Sequence, residues 1–187
     1  MTWRFNYHKD IEGKHAFLSP SRSTWTRYTP DRLRTVWLNN QKKQEGTFLH
    51  DLASRLIKSR NRLDIGANST LSLFVNDCID LQMQSEIPLF YSYNCFGTAD
   101  AIKVEGKNLY IFDLKTGDKE AGFTQLGIYA ALFCLEYQKE PEDLNFIFRI
   151  YQFGTYKEEH WYYDDIRNLM DIIINSDLII NALKTQS

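Results

Sequence analysis

The chain has 187 residues, of which 43% are hydrophobic and 25% charged, and this balance is ordinary for one soluble globular domain with a sizeable core. No apolar run reaches the ~20 residues of a membrane helix, and the N-terminus has no apolar signal-peptide core, so we expect a cytoplasmic protein without a membrane partner. The net charge of −2 and the pI near 6.1 exclude a surface that binds DNA without specificity.

The first third of the chain is basic and mainly helical by prediction. Residues 1–62 hold 13 Lys or Arg and 5 Asp or Glu, whereas residues 63–187 hold 9 basic and 19 acidic residues. Its basic residues alternate with Trp25, Tyr28 and Trp37, which suits a polyanion with stackable bases. A solvated helical face explains the same charges equally well.

Three helices are predicted before the first strand. Thr29-Pro30-Asp31 is typical of a helix start, and this helix should end near Lys43. Gly46-Thr47 opens a second helix with a clear apolar stripe. A third helix is expected from Ser69 to Met83.

Five strands and two more helices are predicted in the rest of the chain. Runs of β-branched and aromatic residues predict strands at 89–93, 97–104, 108–115, 144–153 and 158–163. Residues 121–137 indicate a buried helix, and 164–183 an amphipathic helix whose core face should carry Ile172, Ile173, Ile174, Leu178, Ile179 and Ile180. This order predicts an α/β (α+β) fold with a mixed central β-sheet flanked by helices. We expect a single domain, 1–187, in which the basic part packs on a core at about 89–187.

A hairpin over 97–115 carries the chemistry. If its turn is centred between Gly106 and Lys107, Asp100 stands directly opposite Asp113, with Cβ atoms about 4.5–5.5 Å apart. Two facing carboxylates repel unless a cation joins them, and Lys115 lies on the same face as Asp113 because side chains alternate along a strand. The pattern predicts a Mg²⁺ or Mn²⁺ site in which Lys115 orients water or stabilises a phosphate in its transition state.

Other polar residues are weaker candidates when they are considered alone. Gln125 and Tyr129 are four residues apart on the buried helix and share a face, either beside an active site or as a satisfied hydrogen bond in the core. His50 lies off the apolar stripe of the second helix, where a histidine is more often a packed or surface residue than a ligand.

Four sequence blocks together resemble the RecB-like branch of the PD-(D/E)XK nucleases. They are GTFLH (Gly46–His50), GTAD (Gly97–Asp100), DLK (Asp113–Lys115) and QLGIY (Gln125–Tyr129). Their order and the spacing of the two aspartates match that branch. In a looser way, almost the whole chain is similar to small phage-encoded exonucleases related to the CRISPR adaptation nucleases.

This resemblance implies a restriction-endonuclease-like core and a metal held by His50, Asp100, Asp113 and the backbone carbonyl of Leu114. It implies that Lys115 is catalytic and that Gln125 and Tyr129 support the site or contact DNA. The iron–sulfur cluster of the CRISPR relatives needs four cysteines, whereas this chain has three scattered ones, so we expect no such cofactor.

We therefore expect a Mg²⁺- or Mn²⁺-dependent deoxyribonuclease, an exonuclease in recombination, repair or phage DNA processing, in the host cytoplasm if it is phage-encoded. The alternative is a nucleic-acid-binding or complex-forming module that has the nuclease fold but no activity of its own. A homo-oligomer or a recombination-protein partner is left open by the sequence.

Overall fold

The structure is a computed structural model that describes residue 9 and residues 16–64 and 69–185. Residues 1–8 and 10–15 of the predicted basic part lie outside the described residues. The α-helices are α1 (Pro30–Ser59), α2 (Thr70–Asp80), α3 (Thr124–Glu136) and α4 (Tyr163–Lys184). The strands are β1 (Gln84–Ser92), β2 (Cys95–Glu105), β3 (Asn108–Leu114), β4 (Asn145–Gln152) and β5 (Thr155–Trp161).

The chain divides into two compact units, residues 1–45 and residues 46–187. The first unit contains a 3-10 helix, Pro20–Arg27, and the beginning of α1. The second contains the remainder of α1, all five strands and the other α-helices. Among the described residues, no helix combines the length and the apolar character needed to cross a membrane.

The five strands form one mixed sheet in the order β1-β2-β3-β4-β5. β1, β2 and β3 pair antiparallel, β3 and β4 pair parallel, and β5 is antiparallel to β4. The parallel pair needs a crossover connection, and α3 supplies it. The structure is therefore a mixed α/β fold.

The core of the second unit has two parts, because alternate residues of the central strands point to opposite faces. Leu109 and Ile111 of β3 pack with α3 and with Ile166 and Ile173 of α4. Phe112 and Leu114, which alternate with these residues along β3, pack on the other face with residues of α1 and α2. Helices thus cover both faces of the sheet, as the sequence predicted.

The predicted register of the β2–β3 hairpin is confirmed. Ala101 pairs with Phe112 and Ile102 with Ile111, and the turn lies at Gly106, whose φ is +61°. Glycine adopts this left-handed conformation without the steric strain that a Cβ would cause. The hairpin therefore directs Asp100 and Asp113 to the same end of the β2–β3 pair.

The predicted break between two helices at Gly46 is wrong, because α1 runs through this position without interruption. A Cβ at Gly46 would lie 2.8 Å from Oγ1 of Thr116. The glycine therefore permits close packing of α1 on the segment that follows β3, and it does not end a helix.

The first strand begins earlier than predicted. α2 ends at Asp80, and Gln82 has a φ of +53°, which turns the chain out of the helix before Met83. Gln84 then pairs with Ile102, so β1 starts five residues before Leu89. Pro88 is tolerated within β1 because this strand lies at the edge of the sheet.

The predicted core face of the last helix is largely wrong. Of its six residues only Ile173 is buried, Ile174 is half-buried, and the exposed members are Ile172, Leu178, Ile179 and Ile180. Asp177 is buried instead, and it accepts hydrogen bonds from Ser92 and Asn94 at the β1–β2 turn. These polar contacts fix the rotation of α4, which sequence hydrophobicity alone does not reveal.

Candidate metal centre

The candidate residues come from four elements of the second unit. His50 is on α1, Asp100 is on β2, Asp113 is near the end of β3 and Lys115 follows that strand directly. The predicted supporting pair, Gln125 and Tyr129, lies on α3. Each of these elements is held by the sheet or packs on it, so the side chains are presented from a rigid scaffold.

Asp113 is a buried carboxylate with incomplete pairing. Only 1% of the residue is exposed, and its neighbours along β3 are apolar. Lys115 donates a hydrogen bond to Oδ1 at 3.2 Å. Its Nζ also lies 2.9 Å from Oδ2, yet Oδ2 is buried and accepts no hydrogen bond with acceptable geometry from any described residue. The pKa of Asp113 is raised to about 6, mainly because the carboxylate is buried and secondly because the Asp100 carboxylate is nearby.

A chain of hydrogen bonds holds Lys115. Its Nζ donates to Oε1 of Gln125 at 2.7 Å, and Nε2 of Gln125 donates to the hydroxyl of Tyr129 at 3.0 Å. The ring of Tyr129 packs closely on β2, because a Cβ at Gly97 would lie 3.0 Å from its Cε1. The sequence predicted a shared face for Gln125 and Tyr129, and the structure joins that face directly to Lys115.

His50 and Asp100 form a second contact. Nδ1 of His50 lies 3.2 Å from Oδ2 of Asp100, and this hydrogen bond is the main reason why the pKa of His50 is raised. The same Oδ2 accepts a hydrogen bond of 2.9 Å from the backbone N–H of Leu114. The predicted use of Leu114 through its carbonyl stays a prediction.

Glu86 joins this group and was missed by sequence reasoning. It lies opposite Asp100, between the pairs Ser85–Ala101 and Ile87–Ala99. One possible ligand atom from each of His50, Glu86 and Asp100 lies within 4.8 Å of the others. Burial, and then the charge of Asp100, raises the pKa of Glu86.

The backbone at Glu86 explains why no sequence pattern marks it. Its φ of +54° is in the left-handed region, which a non-glycine residue seldom adopts within a strand. This conformation interrupts the alternation of β1, so a period of two does not extend through the residue. Only a correct start for β1 could have placed Glu86 opposite Asp100.

The structure thus brings the predicted residues together as two neighbouring sets. The first set consists of His50, Asp100 and Glu86, the last of which was not predicted. The second set consists of Asp113 and Lys115 together with the Gln125 and Tyr129 pair on α3. The backbone of Leu114 joins them by its hydrogen bond to Asp100. Asp113 is not among the described residues that converge within 4.8 Å, so its place in a common ligand set stays a prediction.

The donor types suit a hard divalent cation. Carboxylate oxygens are the preferred protein ligands of Mg²⁺ and Mn²⁺, and a histidine nitrogen is compatible with Mn²⁺. Burial and the charge of Asp100 raise the pKa of both Glu86 and Asp113, so the group concentrates negative charge that a divalent cation, in addition to Lys115, would offset. The residues therefore fit such an ion chemically.

Comparisons of the chain with protein-family models, with curated proteins and with solved structures found no match.

Proposed function

We propose that this protein is a Mg²⁺- or Mn²⁺-dependent deoxyribonuclease with a restriction-endonuclease-like core of the PD-(D/E)XK type. The proposal is supported by the arrangement of two side chains at the end of β3. There Oδ2 of the buried Asp113 accepts no hydrogen bond with acceptable geometry from any described residue, and Lys115, which directly follows the strand, has its ammonium group fixed beside that carboxylate. A carboxylate and a lysine in this arrangement suit the hydrolysis of a phosphodiester.

The metal would be held by His50, Asp100 and Asp113, with Glu86 as an additional ligand or as a base for metal-bound water. When it is bound, such an ion polarises a phosphate oxygen and lowers the pKa of a coordinated water. Because Asp100 also accepts the N–H of Leu114, its carboxylate is oriented before any ligand arrives. His50 is likewise held toward the group by its contact with Asp100.

Lys115 would supply the positive charge that stabilises a phosphate as negative charge develops on it. Its side chain is only 26% exposed and is held between Asp113 and Gln125. Gln125 is itself oriented by Tyr129. A lysine that is already positioned loses little entropy in the reaction, which is why we assign Gln125 and Tyr129 a positioning role.

The mixed sheet, with helices on both faces, is compatible with a restriction-endonuclease-like core, and the basic, aromatic residues of 1–62 support DNA as the substrate. The expectation of an exonuclease rests on the sequence resemblance alone.

The test is incubation of the purified protein with linear and circular DNA, each single- and double-stranded, in Mg²⁺, Mn²⁺ or EDTA. We expect cleavage with a metal and none in EDTA, and we expect Asp113→Ala to abolish it while the circular dichroism spectrum is retained. Asp171→Asn, at an exposed position on α4, is the matched control and should cleave like the wild type. Tight DNA binding without cleavage of any substrate would favour the inactive binding module instead.

A further inference from the structure

The first unit contains a cleft between its 3-10 helix and the beginning of α1. Its volume is about 580 Å³, within the range of sites for small ligands. Its walls combine aromatic rings with side-chain amides. The aromatic wall consists of Phe17, Trp25, Tyr28 and Trp37, and the amide wall of Asn40, Gln41 and Gln44.

The aromatic wall is fixed in place but open to solvent. The indole N–H of Trp25 donates to the backbone carbonyl of Ser19 at 3.0 Å. Phe17 packs edge-to-face on Trp37, with ring centroids 4.9 Å apart. Trp37 nevertheless exposes 45% of its surface. A large ring that is oriented and still exposed can stack on a planar ligand.

The side-chain amides of the amide wall have hydrogen-bonding groups that no described residue uses. Asn40 and Gln44 are four residues apart on α1, so they share a face of the helix, and Gln41 lies beside them. None of the three amide side chains forms a hydrogen bond with another residue in the described part of the chain. Asparagine and glutamine amides match the paired donors and acceptors on the edge of a nucleobase.

The charge around the cleft suits a phosphate backbone. Residues 16–45, the continuous described part of the first unit, hold 6 Lys or Arg and 2 Asp or Glu. The guanidinium of Arg32 lies over the ring of Tyr28, 5.9 Å from its centroid, at the aromatic wall itself. An apolar peptide would leave the amides unpaired, whereas a base attached to a phosphate chain uses the rings, the amides and the charge together.

We propose that this cleft binds an unpaired nucleobase of single-stranded DNA, stacked on Trp37 and read at its edge by Asn40, Gln41 and Gln44. In a duplex the base edges are paired and both base faces are stacked, so the cleft selects unpaired strands. The inference rests on the proposed function only in that the substrate is DNA, and it does not depend on cleavage.

The test is fluorescence anisotropy of a labelled oligonucleotide with the full-length protein in EDTA, so that no cleavage occurs. Three ligands are compared: a single strand, the same strand with abasic sites in place of bases, and the blunt duplex. Trp37→Ala removes the stacking ring. Leu38→Ala, at the next and 53% exposed position of α1, is the matched control because Leu38 does not line the cleft.

We expect Trp37→Ala to weaken binding of the normal single strand about tenfold and Trp37→Phe to restore most of the loss. Binding of the abasic strand should be weak and equal in all variants, and Leu38→Ala should match the wild type. If circular dichroism shows that Trp37→Ala is unfolded, Gln41→Met, at an exposed position, keeps the side-chain length, adds no charge and should weaken single-strand binding instead.

Equal affinity of the wild type for the normal and abasic strands would overturn the proposal, because the bases would then contribute nothing. Unchanged single-strand binding by folded Trp37→Ala would do the same. If only the nuclease proposal is wrong, the wild type will still bind the normal strand more tightly than the abasic strand, but it will cleave no DNA in Mn²⁺.

Discussion

Asp113→Asn should stabilise the metal-free protein even though it alters the candidate site. The pKa of Asp113 is about 6 in the folded protein, against an ordinary value of 3.8, and the residue is almost fully buried. At about 1.4 kcal/mol per unit of pKa, keeping this carboxylate ionised at pH 7 costs on the order of 3 kcal/mol of folding free energy. An amide of similar size removes that charge.

The sign of the pH dependence follows from the same difference. Between about pH 4 and pH 6 the folded state binds more protons at Asp113 than the unfolded state does, so the free energy of unfolding should fall as the pH rises. Asp113→Asn should lose most of this fall. A smaller decrease should remain, because the raised pKa of Glu86 acts in the same direction.

The assay is urea denaturation in EDTA, followed by circular dichroism, at several pH values from 4 to 8. At pH 7 we expect Asp113→Asn to unfold with a free energy about 2–3 kcal/mol higher than the wild type. Asp171→Asn, at an exposed site, should change it little. A less stable Asp113→Asn protein, or a wild type that gains stability between pH 4 and pH 6, would show that the buried Asp113 carboxylate does not destabilise the fold.

Two further predictions concern packing and metal binding. Gly127→Ala should lower the free energy of unfolding by about 1–3 kcal/mol, because its Cβ would clash with the indole ring of Trp161. Gly122→Ala, whose Cβ would have no atom within 4 Å, should be nearly neutral in the same urea denaturation assay. Mn²⁺ at a hundredfold excess over its Kd should stabilise the wild type by about 2.7 kcal/mol. His50→Ala should lose most of this gain in a thermal melt, and Glu86→Gln part of it; equal gains in all three proteins would exclude this ligand group.

The sequence was sufficient to predict the features that depend only on residues close together in the chain. The turn at Gly106 and the alternation of β2 and β3 were enough to predict the register of the hairpin. The spacing of Gln125 and Tyr129 was enough to predict that they share a face of α3. Local rules therefore sufficed to predict the hairpin that carries Asp100, Asp113 and Lys115.

The sequence-based predictions were wrong or incomplete where the structure depends on a contact between residues distant in the chain or on an unusual backbone conformation. Gly46 indicated a helix break, but its role is to let α1 approach Thr116, which is distant in sequence. The positive φ of Glu86 interrupts the alternation of side chains along β1, so no periodic sequence pattern predicts where its side chain lies. The burial of Asp177 depends on partners more than 80 residues away, so hydrophobicity predicted the wrong face of α4.

Hydrolysis of DNA by Lys115 and its neighbouring carboxylates is tested by the single-turnover rate of DNA cleavage in Mn²⁺, measured for the wild type and for Lys115→Ala. We predict that the variant cleaves at least about a hundredfold more slowly, while its affinity for the same DNA in EDTA changes little. If Lys115→Ala cleaves as fast as the wild type, Lys115 is not catalytic, and if the wild type does not cleave at all, the protein is not a nuclease.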